Sequence, residues 1–215
     1  KLVRARRQYR QGTPQSKNRY RFNDHSVALR ANNLMYFGKA CNDAGFWNRG
    51  LDALLGGIIK ECGAWLFDDR HYTRNHNHGI MQDEALLHVG RLLRRMEYIR
   101  HAKERLKEQW ENAFNVEGVH QENSPEYHSI VSTLFTHVAD YLSRLGDQEG
   151  AMLRKKLEPT KAYAAWCRLP NGFRAQFGDT NSIPGRKYAE KSLQAREMTQ
   201  SSICYQDARM YFYHS

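Results

Sequence analysis

The chain has 215 residues, 40% hydrophobic and 12% aromatic, which suffices for one sizeable domain with its own core and is cramped for two. No apolar run reaches the roughly 18 residues that a membrane-spanning helix needs, so no membrane span is expected. A formal net charge of +10, from 33 Lys and Arg against 23 Asp and Glu, favours a polyanionic partner, and by itself leaves nucleic acid, acidic polysaccharide and a membrane face open.

In chain order, Lys1 to Arg10 holds five basic residues and no acid, and residues 1–22 read as a basic arm or linker. From Asn23 the pattern becomes helical: "NDHSVALRANNLMYFGKA" offers Asp24 as an N-cap and places Val27, Leu34 and Met35 at helical spacing. A second helix is expected over Phe46 to Phe67 and a third from Gly79 to about Met96. The next, "EYIRHAKERLKEQWENAF", follows after a short break. Ser124-Pro125-Glu126 is a helix start, with Ser as N-cap and Pro in the first position, and its helix runs to about Leu145. A further helix is expected from Glu149 to about Cys167, with a kink or a break at Pro159. The Gly-, Pro- and Asn-rich "RLPNGFRAQFGDTNSIPG" reads as a long ordered loop or a domain junction, and "ARMYFYHS" as the beginning of a strand. The four cysteines, Cys41, Cys62, Cys167 and Cys204, form no CxxC pair and read as free thiols.

Two stretches concentrate polar chemistry. "RNHNHGIMQDEALL", Arg74 to Leu87, carries His76, Asn77 and His78 into a helix start, but lacks the HxxxH or paired-cysteine spacing of a zinc site, so no metal is assigned to it. The letters HNH lack the zinc-bound context of the nucleases of that name. Asn75 or Asn77 as a helix cap is the plain alternative. "EGVHQENSPEYHS" gathers Glu117, His120, Glu122, Tyr127 and His128 around a second helix start. "FNDHSVALR" adds Asp24, His25 and Arg30 at a third. Helix N-termini present free N–H groups and a positive dipole end, so three such starts suit an anionic ligand.

"NDHSVALR", "NHNHGIMQDEALL", "EGVHQENSPEYH" and "LPNGFRAQFGDT", in this order from about Phe22 to Thr180, resemble the helical domain of heparinase II/III-like polysaccharide lyases. The resemblance implies an all-α incomplete (α/α) toroid of helical hairpins over 23–180, followed by an antiparallel β-sandwich towards which 181–215 is the junction. It implies β-elimination on a uronate-containing acidic polysaccharide, with export to the periplasm or beyond. Nucleic acid is then not the expected partner. Asn77 and His78 match the residues that neutralise the uronate carboxylate, and Tyr127 matches the general acid, which for some stereochemistries is also the base. A phenol serving as base needs a cationic setting, and the local excess of Arg and His is consistent with that expectation. His25, Arg30, Arg74, His76, Glu122 and His128 are candidates for sugar binding or for positioning these three. The family commonly draws another catalytic histidine and a structural metal from its sandwich. No cofactor is therefore expected in this chain, which is read as a piece of a longer protein. A non-catalytic toroid that binds acidic glycans is the alternative.

Overall fold

The computed structural model describes residues 23–169, 173–180 and 202–213; the basic arm expected over 1–22 and most of the junction segment lie outside them. The described residues are mostly helical: α1 Asp24–Asp43, α2 Arg49–Phe67, α3 Asn77–Leu93, α4 Met96–Ala113, α5 Pro125–Arg144 and α6 Gln148–Trp166, with one short 3-10 turn at Asp69–His71. One hairpin, β1 Ser202–Tyr205 and β2 Met210–Tyr213, makes the only sheet among them. No helix there is long and apolar enough to cross a membrane.

The helix starts differ from expectation because side chains set them. Asn23, not Asp24, caps α1: its Oδ1 accepts from the Asp24 amide at 3.0 Å. Asn48 caps α2 by accepting from the Leu51 amide at 3.0 Å, which moves the start to Arg49. His76 caps α3 with Nδ1, taking the His78 amide at 3.2 Å, so the helix begins at Asn77 and holds Asn77 and His78 in its first turn. The break between α3 and α4 falls at Arg94, in the left-handed region at φ 54. Ser124 caps α5 as the sequence suggests, and α6 runs through Pro159 without breaking.

Two compact units divide between Gln109 and Trp110, inside α4. In the first, α1 packs on α2 and α3, and α2 on α3. Its buried side chains include Val27, Leu55, Ile59, Leu66, Leu86 and Val89. A buried ionic knot ties its loops: Arg105 of α4 donates to the Leu66 carbonyl at 2.9 Å and to the Asp69 carboxylate, and lies 3.5 Å from the fully buried Asp83. Burial pushes the Asp83 carboxyl up, while the Tyr72 hydroxyl, donating at 2.7 Å, and Arg105 oppose that.

In the second unit α5 and α6 form a packed hairpin. Val119, Tyr163, Trp166, Cys167 and Tyr205 make a buried cluster, flanked by Phe177, Ile203, Ala208 and Met210, so the β-hairpin closes over the end of α6. Its strands pair antiparallel, with Ile203 opposite Phe212 and Tyr205 opposite Met210. The strand expected in "ARMYFYHS" is β2. None of the four cysteines is bridged; Cys62 and Cys167 are buried.

Candidate functional site

The first polar cluster forms where α1 and α3 begin. With Asn23 as the cap, the Asp24 carboxylate is left to side chains. Oδ1 accepts from His25 Nδ1 at 3.0 Å and the His25 amide at 2.7 Å; Oδ2 accepts from His78 Nδ1 at 2.8 Å and the Thr73 hydroxyl at 3.1 Å. Burial raises the Asp24 carboxyl, but hydrogen bonds from His78 and His25 outweigh it and hold it at about 2. Asp24 is therefore an anion at neutral pH and can only accept, which places the proton of both imidazoles on Nδ1. Among the described residues nothing hydrogen-bonds either Nε2. The His25 and His78 ring centroids lie 4.2 Å apart, and the exposed His76 ring lies 4.4 Å from His78.

Asn77 stands between those two histidines in sequence. Its side-chain Oδ1 is buried and has no hydrogen-bond partner among the described residues. A buried acceptor left unpaired costs about 1 to 3 kcal/mol.

The rest of the motif is architecture. A Cβ on Gly79 would lie 2.1 Å from both the Thr73 carbonyl oxygen and Gln109 Nε2, so only glycine lets the loop and α4 approach this closely. Gln82 clamps the same loop, accepting from the Thr73 amide at 2.9 Å and donating to the His71 carbonyl at 2.8 Å. Asp83 belongs to the ionic knot. Two arginines that the sequence offered as ligand contacts have protein partners: Arg74 pairs with Glu108 at 2.8 Å, and the Arg30 guanidinium hydrogen-bonds the Cys62 thiol.

The second cluster surrounds the start of α5. Glu117 accepts three backbone amides of the hairpin turn, from Gln206 at 2.8 Å, Asp207 at 3.0 Å and Ala208 at 3.4 Å, and so anchors the strands. Gly118, at φ 76, lets the backbone press on α6: a Cβ there would sit 2.7 Å from the Pro159 Cβ. His128 is 1% exposed, and its Nε2 donates to the Thr160 carbonyl at 2.9 Å, which leaves Nδ1 buried, unprotonated and unpartnered. Burial pulls His128 down to about 4 against the opposing Thr160 bond, and burial likewise pulls His120 to about 4. Both are neutral packing groups. This places His128 in the core, away from the solvent a sugar would arrive through.

Thr180, from "FGDT", returns to this helix start, with its hydroxyl 3.1 Å from the Ser124 hydroxyl and accepting from the Glu126 amide at 3.3 Å. Arg174 donates to the Ser129 hydroxyl at 2.6 Å. Glu122 is exposed. Tyr127 is half-buried, and no described residue hydrogen-bonds its hydroxyl.

The structure thus gathers His25, Asn77 and His78, with His76 beside them, onto Asp24. Sequence reasoning treated Asp24 as a cap and missed it as the hub. The signal was present in an acid-histidine pair at a helix start, directly after an asparagine able to cap in its place. Asp24, His25 and His78 also form the one group among the described residues whose donor atoms, all within 4.8 Å of one another, could hold a metal ion. No protein-family model, curated protein or solved structure matches the chain.

Proposed function

We propose that this chain is the helical part, an incomplete (α/α) toroid, of a lyase that cleaves an acidic uronate-containing polysaccharide by β-elimination. In that reaction the C5–H bond breaks, and its electron pair becomes the C4–C5 double bond. The C4–O bond breaks with its pair on oxygen, which takes a proton as the 4-O-linked sugar leaves. The difficulty is the weak acidity of the C5 proton, which falls if the adjacent carboxylate is stabilised as it gains enolate character.

The observation that carries the proposal is Asn77. Its amide is retained in the first turn of α3 although its oxygen has no partner there, a cost that folding does not repay. The same amide carries N–H donors that a uronate carboxylate can accept, and this reading assigns them to that carboxylate. His78 supports the same reading: with Nδ1–H given to Asp24, its imidazolium form offers a second N–H at Nε2 to that carboxylate. Tyr127 is the proposed proton-transfer residue, on the resemblance of its motif and because Glu117 and His128 in that motif have structural employment while no described residue hydrogen-bonds its hydroxyl. The net charge of +10 favours a polyanionic substrate.

The test is incubation of the full-length protein with polymers of glucuronate, iduronate, mannuronate and guluronate, followed through the ultraviolet absorbance of the unsaturated uronate product. Product from at least one polymer is expected. Binding without product from any of them would leave a non-catalytic glycan-binding toroid in its place.

A further inference from the structure

We propose that Asp24, His25 and His78 form a binding site for a divalent first-row transition-metal ion, with Zn2+ as the natural probe. Two imidazoles and one carboxylate are a donor set that such ions favour over Mg2+ or Ca2+, which prefer all-oxygen shells. The three side chains come from two helix starts that α1 and α3 hold together, so the set is preformed.

The distances suit an ion. His25 Nδ1 lies 3.0 Å and His78 Nδ1 2.8 Å from the Asp24 oxygens. Each of these pairs, made with a different oxygen of the carboxylate, would subtend about 90° at a metal about 2.1 Å from both atoms, and one donor atom from each of the three residues lies within 4.8 Å of the others. The side chains are 20 to 33% exposed, which gives an ion access and leaves further coordination positions to water or an anionic oxygen. An oriented outer shell exists as well: the Thr73 hydroxyl donates to Asp24 Oδ2 at 3.1 Å and fixes the carboxylate.

Binding exchanges one arrangement for another. The ion takes the Nδ1 lone pairs that now carry hydrogen-bonded protons. A neutral ring shifts its proton to Nε2, and an imidazolium releases one to solvent. The same three residues thus have a hydrogen-bonded form and a metal-bound form. This site does not depend on the lyase reading, because its occupancy is measured without substrate.

Titration of the full chain with zinc chloride at neutral pH, read by calorimetry and by the thermal midpoint, tests it. One ion per chain and a raised midpoint are expected. His25→Ala and His78→Ala should each weaken binding by at least about tenfold, since losing a ligand costs no less than losing an outer-shell partner. His137→Ala, at an exposed histidine on α5, should bind as the wild type does. Failure of the wild type to bind, or wild-type affinity in either of the first two variants, overturns the site whether or not the protein is a lyase.

Discussion

The two histidine-bearing helix starts use one residue type in opposite ways. At the start of α3, His78 shares an ionised carboxylate with His25, and both rings remain partly exposed with Nε2 unengaged among the described residues. At the start of α5, His128 is sealed against Thr160 and Tyr163, and His120 packs on Phe114. Burial holds both neutral there. A carboxylate partner with solvent access makes an imidazole available for chemistry, whereas burial on a carbonyl makes it a piece of the core. In the second motif, no described residue hydrogen-bonds the phenol of Tyr127.

Breaking this contrast has graded consequences. The largest is expected from Tyr127→Phe in the full-length protein: turnover falls by about a hundred- to ten-thousandfold, as for loss of a general acid or base. Its stability should stay within about 0.5 kcal/mol, because no described residue uses the hydroxyl. Wild-type turnover would remove Tyr127 from the mechanism. Next is His128→Ala, which opens a cavity and strips the Thr160 carbonyl of its donor. It should cost about 3 kcal/mol in chemical denaturation, and a loss below about 1 kcal/mol would show that His128 is not core.

Acid should act in two windows, one for the buried histidines, His88 in the first unit and His120 and His128 in the second, and a lower one for Asp24. Unfolded, His128 titrates at 6.5; folded, at about 4, so the unfolded chain takes up its proton first as pH falls. The stability it contributes, roughly 3 kcal/mol, is fully present above pH 6.5 and lost between there and about pH 4. Asp24 is lowered from 3.8 to about 2, so its contribution is present above 3.8 and lost only between 3.8 and about 2. Denaturation midpoints measured across this range should therefore fall in two steps. A single step below pH 4 would contradict the burial of His128. The smallest effect is expected for His76→Ala, which removes an N-cap at an exposed position and should cost about 0.5 to 1 kcal/mol.

Much of the fold was legible, because helical spacing and the Ser124-Pro125 start are local signals that tertiary packing did not override. Helix starts were displaced where capping residues compete: Asn23 beside Asp24, and His76 beside Asn75 and Asn77. Pro159 reads as a breaker, yet α6 runs through it, packed against Gly118. The motifs were legible as motifs, but the division of labour inside them was not. Glu117, Gln82 and Asp83 look as reactive in a sequence as His78 does, and only their partners show that one anchors a hairpin turn, one clamps a loop and one is buried in an ionic knot. His25 and His128 differ in burial and in partner, a carboxylate for one and a carbonyl for the other. The meeting of Asp24 with His78, 54 residues apart, depends on α1 packing on α3, which no local pattern encodes.

The central claim is that Asn77 is kept for chemistry at some expense to the fold, and Asn77→Ala in the full-length protein tests it most directly. Formation of unsaturated uronate should slow by about 2.7 to 4 kcal/mol of transition-state stabilisation, as for a lost oxyanion donor, while the denaturation midpoint holds or rises because a partnerless buried oxygen has been removed. An unchanged rate with a lowered midpoint would contradict the account and make Asn77 a structural residue of the α3 start.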